Sequence, residues 1–253
     1  MRSDEPRHAW QARAPYGRVH LLHMDMLDAA ACAGLAAVGY GQIQPNEFSD
    51  IGHARVTPAG LAAAAPGVAD LVGDIAVALL HTGVLGDAIT PYRRSLARRI
   101  DFLACCGAGF HNDVGRHWAR CLFWLLAIDL SEVEFVMPHA GVRIGLAPGD
   151  LLVFDQTLAH GLCRPADGGQ AVAASFAAGA HRRQLFLTGE LPLSDARWAA
   201  LGAPWLPLDL HQARAALDLR VASFDERSGA IQGLRSLRDC MQRGSPQADA
   251  RVG

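Results

Sequence analysis

The chain has 253 residues, 51% hydrophobic and 19% charged, with a formal net charge of −2 and a pI near 6.6. That composition buries a core and excludes disorder, and its near-neutral balance gives no electrostatic case for nucleic acid or an anionic membrane. Its longest clean apolar run, Cys121 to Ile128, is too short to span a bilayer.

In chain order, the opening Met-Arg-Ser-Asp-Glu-Pro lacks the apolar core of a signal peptide. The six cysteines show no Cys-x-x-Cys or zinc spacing, so reduced thiols and a cytoplasmic location are expected. Val19 to His23 reads as a first strand. The run to Val38 reads as a helix, with Asp25 as N-cap and Asp28 in its first turn. Pro66 suits the first turn of a second helix, with an apolar stripe at Val68, Leu71, Val72, Ile75 and Leu79 and a stop at Gly83. Tyr92 to Arg99 carries four arginines and reads as a solvated segment.

From Ile100 the period changes. Ile100 to Phe110 is an apolar, Gly-punctuated stretch read as a buried strand leading into His111-Asn112-Asp113. Short apolar runs follow at Arg120–Ile128, Glu134–Pro138, Arg143–Leu146 and Leu151–Phe154, the last two divided by Pro148-Gly149-Asp150. Runs of this length with turn residues between them predict an antiparallel sandwich or barrel. Trp118, Trp124, Phe110 and Phe123 are expected in its core, and His117 and His139 in exposed or turn positions.

His-x-Asp by itself is weak, since a chain of this composition holds about one such pair by chance. Here there are two, the other being His23-Met24-Asp25, where the helix-cap reading suffices. The second copy stands out by its surroundings. Alternate strand residues share a face, so His111 and Asp113 can address one point. His160 follows Asp113 by 47 positions, room for about four strands of ordinary length and their turns. Two histidines and a carboxylate form the facial triad of non-haem Fe(II) sites, with the opposite coordination face open.

With those motifs in order, residues 100–178 resemble the double-stranded β-helix (jelly-roll) core of the Fe(II)- and 2-oxoglutarate-dependent oxygenase superfamily, somewhat like its prolyl-hydroxylase branch. The resemblance implies an α+β fold with a jelly-roll catalytic core at 100–190. An N-terminal flank at 1–99 and a C-terminal helical extension at 191–253 would pack on it as one unit. Helices are expected over His211–Arg220 and Ile231–Met241, with a frayed tail from Arg243. It further implies Fe(II) held by His111, Asp113 and His160, with 2-oxoglutarate and dioxygen as cosubstrates and a small-molecule substrate hydroxylated at a C–H bond. The intact Asp113 favours hydroxylation over halogenation. Where the superfamily places an Arg or Lys for the far carboxylate of 2-oxoglutarate, this chain has Gln170, at the start of an expected strand to Phe176. Gln170 offers only a neutral hydrogen bond, weaker than a charge-assisted one. Arg164, in strand parity with His160, and Arg120 are the alternative anchors, with Arg182 and Arg183 behind them. Two other readings stand beside this one: a cupin-like Fe(II) enzyme that does not use 2-oxoglutarate, and a non-catalytic jelly-roll binding protein.

Overall fold

The computed structural model describes residues 19–43, 52–68, 70–81, 100–111, 121–137, 142–156, 160–165, 184–192, 220–224 and 231–236. In chain order the elements are β1 (His20–His23), α1 (Ala29–Gln42), β2 (Gly52–Val56), α2 (Pro58–Ala64) and α3 (Leu71–His81). They continue with β3 (Ile100–Cys105), β4 (Ala108–His111), β5 (Cys121–Asp129), β6 (Glu134–Met137) and β7 (Val142–Gly145). The last are β8 (Asp150–Phe154), β9 (His160–Cys163), β10 (Gln184–Pro192), β11 (Arg220–Phe224) and β12 (Ile231–Ser236).

Among the described residues the strands form three sheets. The larger has the order β1-β8-β5-β10-β3-β2, and a four-stranded one has the order β4-β9-β6-β7. β11 and β12 pair with each other. From β3 to β10 the chain repeatedly crosses between the two main sheets, and all pairings are antiparallel. Four strands of one sheet, β8-β5-β10-β3, thus face β4-β9-β6-β7, which is the jelly-roll arrangement. With the helices the fold is α+β. Four strands, β5 to β8, fill the interval before His160, as the spacing predicts.

Strand alternation makes two cores. On β5, Leu122, Trp124, Leu126 and Ile128 face the helices. With Phe102, Leu151, Val153, Leu185 and Leu187 they bury Leu35, Leu61, Ile75 and Leu79. The other parity, Leu125 and Ala127, joins Leu103, Phe135, Met137, Val142, Ile144, Leu152, Phe154, Leu162 and Phe186 between the sheets. Trp124 is therefore a fully buried core residue, while Phe110, equally buried, packs with Val136 and Cys163 on the outer side of the smaller sheet.

Several local expectations are corrected. The N-cap of α1 is Asp28, not Asp25: its backbone is extended and its Oδ1 accepts from the Ala31 N–H at 2.8 Å. Asp25 instead lies 3.8 Å from His23 Nε2, and His23 Nδ1 meets Asp150 Oδ1 at 2.8 Å. Helix α3 begins at Leu71, with Pro66 in the turn before it, although the stripe Val68, Leu71, Val72, Ile75 and Leu79 is buried as expected. α2, capped by Thr57 Oγ1 and opened by Pro58, has no counterpart among the predicted elements. The stretch from Ile100 to Phe110 is two strands in different sheets, because Gly107 at φ 91° turns the chain between them. The helix expected at Ile231–Met241 is corrected over Ile231–Ser236, which is strand β12 paired with β11. An interior Gly233 weakens a helix there, and antiparallel pairing supplies the backbone partners. Gly83, the arginines of 92–99, His117, Trp118, His139, the strand from Gln170, Arg182, Arg183, most of the helix expected over His211–Arg220 and the tail from Arg243 lie outside the described residues.

Candidate metal centre

β4 and β9 bring the two histidines together. In their antiparallel register Ala108 stands opposite Leu162 and His111 opposite His160. The imidazole centroids are 4.4 Å apart, with the planes inclined at 56°. Both rings lie at the end of the sandwich where β4 stops and β9 starts.

His160 points between the sheets. Its ring lies 4.8 Å from that of Phe154, which comes from the opposite sheet, and 6.1 Å from that of Phe135 on β6, nearly parallel to it. Phe154 also packs on Phe135 at 4.7 Å and on Phe123 edge-on at 5.8 Å. His160 is 6% exposed, whereas His111 is half-buried and closer to solvent. A buried imidazole wedged between phenyl rings has few rotamers left, so its direction is set before anything binds.

His111 is fixed differently. Its Nδ1 lies 2.7 Å from the backbone oxygen of Gly109, an acceptor, so Nδ1 carries the proton and donates. In the neutral ring, donation from Nδ1 leaves the Nε2 lone pair as the one a metal would take. A backbone carbonyl in that place both orients the ring and raises its basicity as a ligand.

Asp113, the carboxylate of the expected triad, lies outside the described residues, as do Arg120 and Gln170. Among the described residues no group of three or more His, Cys, Asp or Glu is assembled for a metal. The donor chemistry present is two neutral-capable imidazoles on adjacent strands, which suits a borderline divalent ion such as Fe(II). Arg164 is four positions beyond His160 and one past the end of β9, about 13 Å away at the usual rise per residue. It therefore lies toward the opposite end of the sandwich.

Sequence reasoning missed the wall opposite the histidines. By alternation on β10, Gln184, Phe186, Thr188 and Glu190 face inward, and Glu190 pairs in register with Phe123 and Thr188 with Asp101. Thr188 is 2% exposed. None of these four is a cation. Asp101 is held by Arg55 of β2, Nε to Oδ1 3.2 Å, and Arg143 is paired with Glu134 on the outer side of the smaller sheet. The signal for β10 was present in the alternation of Gln184 to Leu191, but it lay beyond the strand expected at Gln170. At the far end of the interior, Cys105 Sγ contacts Gln184 Oε1 at 3.6 Å, and Gln184 Nε2 reaches Ser131 Oγ at 3.4 Å. Full burial pushes the Cys105 thiol up to about 12, against a lowering contribution from the Gly107 backbone, so it is a neutral hydrogen-bonding group.

No family model and no curated protein matches the chain in sequence. Solved structures do resemble it in fold. A Pseudomonas putida prolyl-4-hydroxylase is 16% identical, covering 70% of this chain and 92% of its own, with a TM-score of 0.41. A viral collagen prolyl hydroxylase from Paramecium Bursaria Chlorella virus-1, solved with 2-oxoglutarate, is 8% identical over 68% and 94% of the two chains, TM-score 0.41. An oxidoreductase of the 2-oxoglutarate-Fe(II) oxygenase family from Burkholderia pseudomallei is 15% identical over 68% and 82%, TM-score 0.38. These three are of the superfamily that residues 100–178 resemble. At such identities and scores the likeness carries no argument about chemistry, and the strand order and the paired histidines stand on their own.

Proposed function

We propose that the chain is a non-haem Fe(II)- and 2-oxoglutarate-dependent oxygenase that hydroxylates a C–H bond of a small molecule. The observation that carries this is the His111–His160 pair, with rings 4.4 Å apart on neighbouring strands and the His111 ring oriented by its Nδ1 bond to the Gly109 carbonyl. The order of the motif supports it too, because Asp113 follows His111 by two positions and is the third ligand in this reading.

Bound Fe(II) with 2-oxoglutarate would supply the oxidising power, by coupling decarboxylation of the keto acid to activation of dioxygen. The protein's own residues do the rest. His111 and His160, with Asp113 as the third ligand of this reading, would hold the ion. Phe135 and Phe154 fix the plane of His160 and keep water from its buried side. On the inward face of the larger sheet, Phe123 and Thr188 would contribute an aromatic ring and a hydroxyl to the wall beside the centre. Such a surface orients a small organic substrate and excludes competing hydrolysis.

The inward face of β10 favours attention to the second reading, a jelly-roll Fe(II) enzyme without 2-oxoglutarate, because Thr188 and Glu190 offer no positive partner to a carboxylate. In the leading reading that partner is Arg120 or Arg164, or Gln170 through a neutral hydrogen bond. One anaerobic titration separates the two. Fe(II) and 2-oxoglutarate are added to the full chain, and the visible charge-transfer band of the chelated keto acid is followed. A band saturating near one equivalent and absent in His111→Ala supports the leading reading. Iron binding without the band transfers support to the second, and no iron binding overturns both.

A further inference from the structure

Two residues of β4, Gly109 and Phe110, stand against one residue of β9, Gly161, because the register shifts between Ala108 and His111. This is a β-bulge, and its effect on direction is decisive. An uninterrupted ladder from Ala108 would send Phe110 between the sheets and His111 to the outer face. The extra residue reverses both. Phe110, 1% exposed, packs outside with Val136 and Cys163, while His111 faces His160.

The strand opposite the bulge comes unusually close. A Cβ placed on Gly161 would lie 2.9 Å from the Ala108 carbonyl oxygen and 3.1 Å from the nearest ring carbon of Phe110. The first of these is backbone and cannot rotate away. Any side chain at 161 must therefore push β4 off β9 at the residues that lead into His111.

We propose that Gly161, closed over by the ring of Phe110, is a positioning residue for the two-histidine centre. Its missing side chain lets the bulge seat, and the seated bulge sets both the His111–His160 separation and the Nδ1 bond to Gly109. Gly161 touches neither metal nor substrate and acts through His111. The inference rests on the metal-binding reading above and deepens it.

The test uses the full chain, Co(II) as a spectroscopic stand-in for Fe(II), and nitrogen-15 resonances of the histidine rings in the metal-free protein. Gly161→Ala is expected to lower Co(II) affinity by roughly tenfold to a hundredfold, the range seen when residues behind a ligand are changed. It is also expected to move the His111 nitrogen resonances toward a tautomer mixture. Phe110→Leu, which loosens the bulge from its other side, should lower affinity by a smaller factor. Gly39→Ala is the control for mere tight packing: its Cβ would lie 2.6 Å from the Leu185 side chain, on the helix side of the larger sheet. It should cost stability and leave Co(II) affinity unchanged. A folded Gly161→Ala that binds Co(II) like the unaltered chain overturns the proposal. Should Gly161→Ala not fold, Phe110→Leu decides alone, and unchanged affinity there overturns it equally. An unaltered chain that binds no Co(II) overturns the metal reading instead.

Discussion

Replacing His160 or His111 by alanine should give two variants that differ without metal and agree in what they lose with it. His160 is 6% exposed and sits between the rings of Phe135 and Phe154. Its truncation leaves a void of side-chain size, worth about 2–4 kcal/mol by analogy with large-to-small core substitutions. For a domain of this length each kcal/mol moves the melting temperature by roughly 2–4 °C, so the metal-free variant should melt about 4–16 °C lower. His111 is half-buried and on the rim, and its loss should cost about 1 kcal/mol, near the ordinary mean for a substitution. Fe(II) at a hundred times its dissociation constant adds about 2.7 kcal/mol to the unaltered protein, a rise of roughly 5–10 °C. Both variants should forfeit that rise. Anaerobic differential scanning fluorimetry with and without Fe(II) reads all six values in one experiment. A rise retained in His160→Ala would refute the reasoning, because it would place the iron elsewhere.

Two further outcomes concern the scaffold. The Cys105 thiol is raised from 9.0 to about 12 by burial. Below pH 9 folded and unfolded chains both hold that proton; between pH 9 and 12 only the folded chain does. Its contribution to stability is thus intact below pH 9 and declines as pH rises, by up to about 1.4 kcal/mol per unit. Urea unfolding from pH 8 to 10.5 should show the advantage of the unaltered protein over Cys105→Ala narrowing in that window, and parallel curves would contradict it. At the start of α1, Asp28→Ala should cost about 1 kcal/mol through the lost cap, while Asp25→Ala should cost a few tenths at most. Thermal melts of the pair distinguish the observed cap from the one the sequence suggests.

The jelly-roll strands were legible because their signal is local and doubled. Leu151 to Phe154 is both an apolar run and the continuation of a Pro-Gly turn, and β5 is an apolar run of strand length. The histidine pair was legible only as spacing, since what makes it a pair is a bulge. A register shift at Gly109 and Phe110 depends on the partner strand, 50 positions away, and leaves no local mark beyond the glycines themselves. The same limit explains α1, where two aspartates three apart both suit a cap and only the backbone angles choose Asp28. It also explains β12. Ile231 to Met241 satisfies a helical period in isolation, and pairing with β11 over the first six of those residues overrides it. Gln170 and the strand expected from it lie outside the described residues. The strand that walls the interior next to β5 begins at Gln184.

His111 and His160 stand 49 positions apart, with all of β5, β6, β7 and β8 between them. An unfolded or half-synthesised chain offers no such pair, because closing so long a loop for a single ion is entropically unfavourable until the intervening strands are ordered. In the proposed centre the pair would therefore form only once β5 to β8 are in place. A nascent chain emerging from the ribosome presents β4 long before β9 exists, so it cannot capture iron prematurely through this pair.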